Sequence, residues 1–372
     1  MIPLFDTSTG LEPLRDELRT AVLGVLDSGV FVLGPEVEAF ERELAEYVGT
    51  SHAIGVGNGT DAITIALRAL DVGPGDEVVV PSFTFYASAE AIPPTGARPV
   101  FCDIDPDTFC VTPETVAAAL TPKTKAVIAV HLFGNVAPIA EIEALGVPVI
   151  EDAAQSLGSK AAAGRPGSLG KLATFSFYPS KNLGAFGDGG AVTTSDPALA
   201  QRVRSLRFHG SRDKVTFDEV GYNSRLDALQ AAILRVQLPH LDDWSDGRRA
   251  AADHYRRAGL GELVALPRPT AGADPAWHLF VVRTPDPDSL AAALAERGIE
   301  ARSYYRAATH EQPAMREFAP GTPLPATEAA SASNLAIPIS PVLGQAQAEE
   351  VAAVARAHLQ TSALAAGGTR PD

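Results

Sequence analysis

Cysteine, methionine and tryptophan each occur only twice in the 372 residues. Cys102 and Cys110 are too few for a disulfide framework and wrongly spaced for a CxxC motif. The eight histidines are scattered and form neither HExxH nor another metal-ligand spacing, so no metal is expected. No apolar run reaches the roughly 20 residues of a membrane span, and Met1-Ile2-Pro3-Leu4-Phe5-Asp6 has neither the basic segment nor the apolar segment of a signal peptide. Basic residues are outnumbered, 30 against 45, for a net charge of −15. They gather into no basic patch, which argues against a nucleic-acid partner. What remains, at 46% hydrophobic and 20% charged, is the composition of a globular chain expected in the cytoplasm. It is long enough for two or three units of roughly 100–200 residues each.

Several patterns organise the chain. Pro35 opens a helical stretch over 36–48, with Val37, Phe40, Leu44 and Val48 at three- and four-residue spacing. A glycine-rich segment, Gly55-Val56-Gly57-Asn58-Gly59-Thr60-Asp61, leads into an apolar helix from Ala62 to Leu70. Short apolar runs bounded by turn residues follow at Glu77–Val80, Arg98–Phe101, Ala126–Val130, Val147–Ile150, Ala173–Phe177 and Gly190–Thr194. Helical patterns such as Pro113–Leu120 and Pro138–Leu145 lie between them. Apolar strands alternating with helices read as a mostly parallel sheet covered on both faces. From about 198 the pattern turns helical, through Ala198–Arg207 and Leu226–Leu238. A strand at His278–Arg283 and helices at Ser289–Arg297 and Gln345–Leu359 then make a smaller α+β unit. The expected division is 1–240 and 241–372, with a frayed tail from Ala365 to Asp372.

Three segments carry chemistry. The glycine-rich segment has Thr60 where a GxGxxG dinucleotide fingerprint needs glycine. It reads instead as a turn opening a helix, with Thr60 near the N-cap. Such a helix end suits a phosphate, although an ordinary loop is the simpler reading of that stretch alone. Next, Pro148-Val149-Ile150-Glu151-Asp152-Ala153-Ala154-Gln155-Ser156 ends an apolar strand in two carboxylates, one of which must face the strand's carboxyl end, where α/β sheets place ligands. Finally, Lys181 is one of only six lysines. It alone follows a buried-looking strand and adjoins a glycine-rich segment, where lost solvation would lower its pKa and free its amine as a nucleophile. Together the three are the parts needed to hold pyridoxal phosphate: a phosphate cradle, a partner for the pyridine nitrogen and an imine-forming lysine.

The chain resembles the sugar aminotransferases of the DegT/DnrJ/EryC1/StrS family. The resemblance runs from Gly34-Pro35-Glu36-Val37 to Ile337-Pro338 through Gly57-Asn58-Gly59-Thr60-Asp61-Ala62, Gly73-Pro74-Gly75-Asp76-Glu77-Val78, Glu151-Asp152-Ala153-Ala154-Gln155, Ser176-Phe177-Tyr178-Pro179-Ser180-Lys181-Asn182-Leu183-Gly184, Gly187-Asp188-Gly189-Gly190 and Gly221-Tyr222-Asn223-Ser224-Arg225-Leu226-Asp227. It implies the aspartate aminotransferase-like α/β fold of type I pyridoxal-phosphate enzymes, a large domain with a mostly parallel sheet followed by a small C-terminal α+β domain.

The resemblance also implies roles. Lys181 matches the Schiff-base lysine, Asp152 the partner of the pyridine nitrogen, and Gln155 a contact to the cofactor's phenolic oxygen. Phe85 matches an aromatic stacked on the ring, though it reads equally as core. Gly59, Thr60 and Ser176 match phosphate contacts, and Asn223 a residue reaching the neighbouring subunit's phosphate, so a homodimer with shared sites is expected. Tyr305 and His310 match substrate positions in the family's HYP…H segment, where this chain departs by having Tyr304 for histidine and Arg306 for proline. Arg306 and Arg248 could meet a pyrophosphate, but surface arginines are the preferred reading of both.

The implied reaction moves an amino group, with L-glutamate as the expected donor, to the keto group of a dTDP- or UDP-linked deoxysugar. C-3 is expected over C-4 because Lys181–Gly190 resembles members acting on 3-keto sugars. Its glycines at 184, 187, 189 and 190 would let backbone approach the ligand, or else serve only a tight turn. A dehydratase on the same scaffold is disfavoured by Lys181, where those relatives carry histidine. A non-catalytic regulator or binding protein would not need Lys181, Asp152 and Asn223 together.

Overall fold

The six apolar runs all become strands of one sheet in the computed structural model, which describes residues 1–367, and a seventh strand joins them. The seven are β1 (His52–Val56), β2 (Glu77–Pro81), β3 (Arg98–Cys102), β4 (Thr124–Val130), β5 (Val149–Asp152), β7 (Leu172–Ser176) and β8 (Gly190–Thr194), with the two-residue β6 (Lys160–Ala161) outside the sheet. The spatial order is β1-β8-β7-β5-β4-β2-β3. Strands β3, β2, β4, β5 and β7 run parallel, and β8 runs antiparallel to both β7 and β1. In β2, Val78 and Val80 enter one core while Val79 enters another on the opposite face. Burial of both faces is why these strands read as unbroken valine-rich runs rather than alternating ones. The seventh strand, β1, escapes a periodicity reading because Gly55 and Gly57 interrupt its apolar run.

Helices cover the sheet. Pro35–Val48 opens with Pro35 at its first position and buries Val37, Phe40, Leu44 and Val48, the four residues of the sequence pattern. Gly59–Ala69 lies against the opposite face and is capped by Asn58, not Thr60: the Asn58 side chain accepts from the Asp61 amide at 2.8 Å. Two further helices, Arg15–Ser28 and Leu241–Arg257, are not marked by the sequence pattern: the first buries only Leu18 and Val25, and the second buries Ser245, Arg248, Ala251 and Ala252 beside Leu241 and Tyr255. In the first, Leu23 and Leu26 stay exposed.

A second core packs β10 (Phe280–Arg283) against β11 (Asn334–Ile337), the sheet of β6 with β9 (Ala273–Asp274) lying apart. Leu241 belongs to a core beneath the large sheet, whereas Ala251, Ala252 and Tyr255 of the same helix belong to this second core. The helix Leu241–Arg257 thus ties the two units together. Ile2 also joins the second core and bridges Ile299, so the start of the chain lies on the carboxyl-terminal unit. Helix Gln345–Gly367 ends the described chain, so most of the expected frayed tail lies outside the described residues. Among the described residues no helix is long and apolar enough to cross a membrane, and no three His, Cys, Asp or Glu gather as a metal site.

Candidate active site

The carboxyl ends of β4, β5 and β7 open on one cavity of about 1000 Å³. Gly59, Thr60, Phe85, Asp152, Gln155, Ser176, Lys181 and Tyr305 all line it. Asn223 and His310 do not. Asn223 is exposed on a bridge to Phe208, away from its own chain's cavity. His310 sits behind the wall, because its Nδ1 pairs with Ser82 Oγ at 2.6 Å and its ring packs on Phe101.

Strand alternation separates the two carboxylates of β5. Glu151 is fully buried and turned away from the cavity. It accepts from the amides of Gly167, Leu169 and Gly170 at 2.8–2.9 Å and pairs with His131 Nε2 at 2.8 Å. Asp152 faces the cavity floor, where its Oδ2 accepts from Ser88 Oγ at 2.7 Å and its Oδ1 from the Ala154 amide at 3.2 Å. With its proton given to Asp152, the Ser88 hydroxyl must accept from Thr84 Oγ1, 3.0 Å away. Thr84 and Ser88 fix the carboxylate's orientation, and nothing in their local sequence announces this.

The helix end approaches β7 because the contacts leave no room for a side chain. A Cβ at Gly59 would stand 2.8 Å from Ser176 Cβ, and one at Gly190 would stand 2.4 Å from the Asn58 carbonyl oxygen. Gly190 pairs with both Ser176 and Val56 across the ladders, which sets the helix start beside Ser176. The Gly59 and Thr60 amides are first-turn donors that no intrahelical acceptor can reach.

Lys181 follows β7 on a turn closed by its amide to the Tyr178 carbonyl at 2.8 Å. Burial lowers its amine from the ordinary lysine value to about 8, against the opposing pull of the Asp152 charge. The glycines beyond it are closely packed by protein. A Cβ at Gly184 would meet the Pro179 carbonyl at 2.5 Å, at Gly187 the Gln230 amide at 3.2 Å, and at Gly189 the Leu226 side chain at 3.1 Å.

The remaining walls are aromatic and amide groups. Gln155 accepts from the Phe133 amide at 2.7 Å and donates to the Tyr305 hydroxyl at 3.2 Å, and burial pushes the Tyr305 phenol well up. Phe85, 55% exposed, presents its ring to the cavity and is not core. His278, unmarked in the sequence, also lines the cavity. Its Nδ1 has no hydrogen-bond partner among the described residues, and burial together with the Lys181 and Arg248 charges keeps the ring neutral. Arg306 is a surface residue paired with Asp288, as expected. Arg248 is not: only 8% exposed, it lies on the inner face of Leu241–Arg257 with Nη1 bonded to the Trp277 and Ile339 carbonyls.

These residues fit pyridoxal phosphate on chemical grounds. A free helix end closed tightly against Ser176 suits the phosphate, a buried carboxylate suits a pyridinium, and an amine with lowered pKa suits an imine. The fold is that of a type I pyridoxal-phosphate enzyme. The chain belongs to the DegT/DnrJ/EryC1/StrS aminotransferase family, whose model matches residues 13–356, and pyridoxal phosphate is that family's cofactor. It is 45% identical over 357 residues to dTDP-3-amino-3,4,6-trideoxy-alpha-D-glucose transaminase of Streptomyces venezuelae, covering 94% of each chain. It is 43% identical to UDP-N-acetyl-3-dehydro-alpha-D-glucosamine 3-aminotransferase of Acidithiobacillus ferrooxidans, covering 95% of this chain and 97% of that one. Among solved structures, S. venezuelae DesV in complex with a ketimine intermediate superposes with a TM-score of 0.92 at 45% identity, over 96% of this chain and 98% of that one.

Proposed function

We propose that this aminotransferase transfers an amino group from L-glutamate to the C-3 keto group of a nucleotide-linked deoxysugar. One observation carries the chemistry: Asp152 and Lys181 line the same cavity, while the neighbouring Glu151 is turned away into structural bonds. Pyridoxal phosphate, when bound, supplies an electrophilic carbon and an electron sink. Asp152 would hold the proton on its ring nitrogen, Gln155 would meet its phenolic oxygen, and Phe85 would supply an aromatic face for the ring. Ser176, Thr60 and the Gly59 amide would hold its phosphate. Lys181 Nζ, neutral more often than an ordinary lysine, would serve as the base that takes the proton from the substrate carbon. Tyr305, in the cavity wall, would meet the sugar, whereas His310 bonds Ser82 outside the cavity lining and is not assigned a substrate contact.

Relatives named for a 3-amino product and for a 3-dehydro substrate support C-3. The Lys181–Gly190 segment adds no geometric argument, since its glycines pack on protein. Asn223 completes the site of a second copy in a homodimer, and the enzyme works in the cytoplasm on dTDP- or UDP-linked sugars. The test offers dTDP- and UDP-linked 3-keto- and 4-keto-6-deoxyhexoses separately with glutamate. Amination of a 3-keto sugar is expected; faster turnover of a 4-keto sugar refutes the C-3 assignment, and turnover of none refutes the function.

A further inference from the structure

Lys181 borders two chambers. Beside the large cavity lies a smaller one of about 290 Å³, sharing only Phe5, Ser180 and Lys181 with it among the described residues. Its volume is at the lower end of the roughly 300–1,000 Å³ of small-ligand sites, suited to an amino acid rather than a nucleotide. Arg248 forms part of its wall. Although more than nine-tenths buried, this guanidinium bonds no carboxylate among the described residues. Nη1 donates to the Trp277 and Ile339 carbonyls at 3.1 and 3.3 Å, and Nε and Nη2 donate to no group among the described residues. Burial lowers its pKa to about 10 despite the Asp6 charge.

A buried cation short of a counter-anion is costly. An arriving carboxylate would supply both the charge and the second half of a forked, bidentate pair. Among the described residues no arginine lines the large cavity, so Lys181 and Arg248 are the only lysine or arginine side chains they place around either chamber. A transaminase serves two substrates in turn beside one lysine, and the amino-acid donor carries a carboxylate that must be held within reach of it. We infer that the smaller chamber is the donor subsite, where Arg248 grips the carboxylate of the amino-acid donor and of the oxo acid it becomes. This rests on the transaminase reading above. Asp6 also lines the chamber, its Oδ1 already accepting from the Ser8 and Thr9 amides at 3.2 and 2.9 Å. Its charge opposes an incoming carboxylate, so the two residues should act on donor binding with opposite signs.

The test separates the half-reactions of the holoenzyme by its cofactor absorbance. Arg248→Met should raise the half-saturating L-glutamate concentration about 10- to 100-fold and leave the nucleotide-sugar half-reaction unchanged, with Arg248→Lys intermediate. Asp6→Asn should lower that glutamate concentration. Calorimetric titration with glutarate, which carries the carboxylates without the amine, should weaken in Arg248→Met and tighten in Asp6→Asn. Should Arg248→Met fail to fold, Arg248→Lys and Asp6→Asn decide. Donor saturation and glutarate binding unmoved in the folded variants, or both half-reactions impaired alike, overturn the donor subsite. A wild-type enzyme that aminates no nucleotide sugar overturns the transaminase reading instead.

Discussion

The lowered pKa of Lys181 makes a quantitative prediction. The drop from 10.5 to about 8 corresponds to about 3 kcal/mol of lost charge solvation. At pH 7 it leaves about one amine in ten neutral, against roughly one in 3000 for a solvated lysine, a gain near 300-fold in the reactive form. Burial disfavours the ammonium and the Asp152 carboxylate favours it, so Asp152→Asn should move the titration still lower. The assay is brief acylation of the cofactor-free protein between pH 6 and 11, followed by peptide mass spectrometry. With only six lysines in the chain, the other five serve as internal references. Lys181 should modify along a curve with its midpoint near 8, and lower still in Asp152→Asn. A Lys181 curve with its midpoint above 10, or one that rises when Asp152 is neutralised, would refute the reasoning.

Asp152→Asn should also slow turnover at least about 100-fold, the effect of losing a positioned acid–base group, with the melting temperature little changed. Glu151→Gln should do the reverse, costing about 3–5 kcal/mol of stability in denaturant unfolding because a buried hydrogen-bonded charge site is broken, while the folded fraction keeps its turnover. Gly59→Ala should weaken cofactor retention on dialysis, since its Cβ would stand 2.8 Å from Ser176 Cβ and push the helix end off the phosphate position. Mixing inactive Lys181→Ala with a weakened Asn223→Ala variant should restore activity in one of the hybrid's two sites; light scattering that shows an active monomer would rule out shared sites.

Much of this was legible in the chain, for reasons that differ by element. Strands such as Glu77–Pro81 and Gly190–Thr194 lie within a residue of the apolar runs because both sheet faces are buried and turn residues bound each run. Strand β5 slipped two residues, from 147–150 to Val149–Asp152, because its two carboxylates read as strand end when they are strand. The N-cap fell to Asn58 rather than Thr60, a choice made by the turn that Gly190 crowds. Arg248 reads as a surface arginine, as most are; its bonds to the Trp277 and Ile339 carbonyls are tertiary contacts that its own segment does not announce. His278 is invisible for the same reason: nothing within its own segment shows that Lys181 lies nearby.

The Glu151-Asp152 pair shows why a motif can be recognised before its logic is understood. Two adjacent carboxylates on a parallel strand necessarily point to opposite faces, so they cannot share a role. One face of β5 looks onto the loop 167–170, whose three amides need an acceptor and find it in Glu151. That loop leads into β7 and so to the turn carrying Lys181. The other face looks onto the cavity, where Ser88 steers Asp152. The structural carboxylate thus fixes the strand that delivers the lysine, and the chemical one sits beside where that lysine arrives. Exchanging the two, by Glu151→Asp together with Asp152→Glu, would therefore disrupt both at once: the shorter side chain would fall short of the loop amides, and the longer one would intrude on the cavity floor.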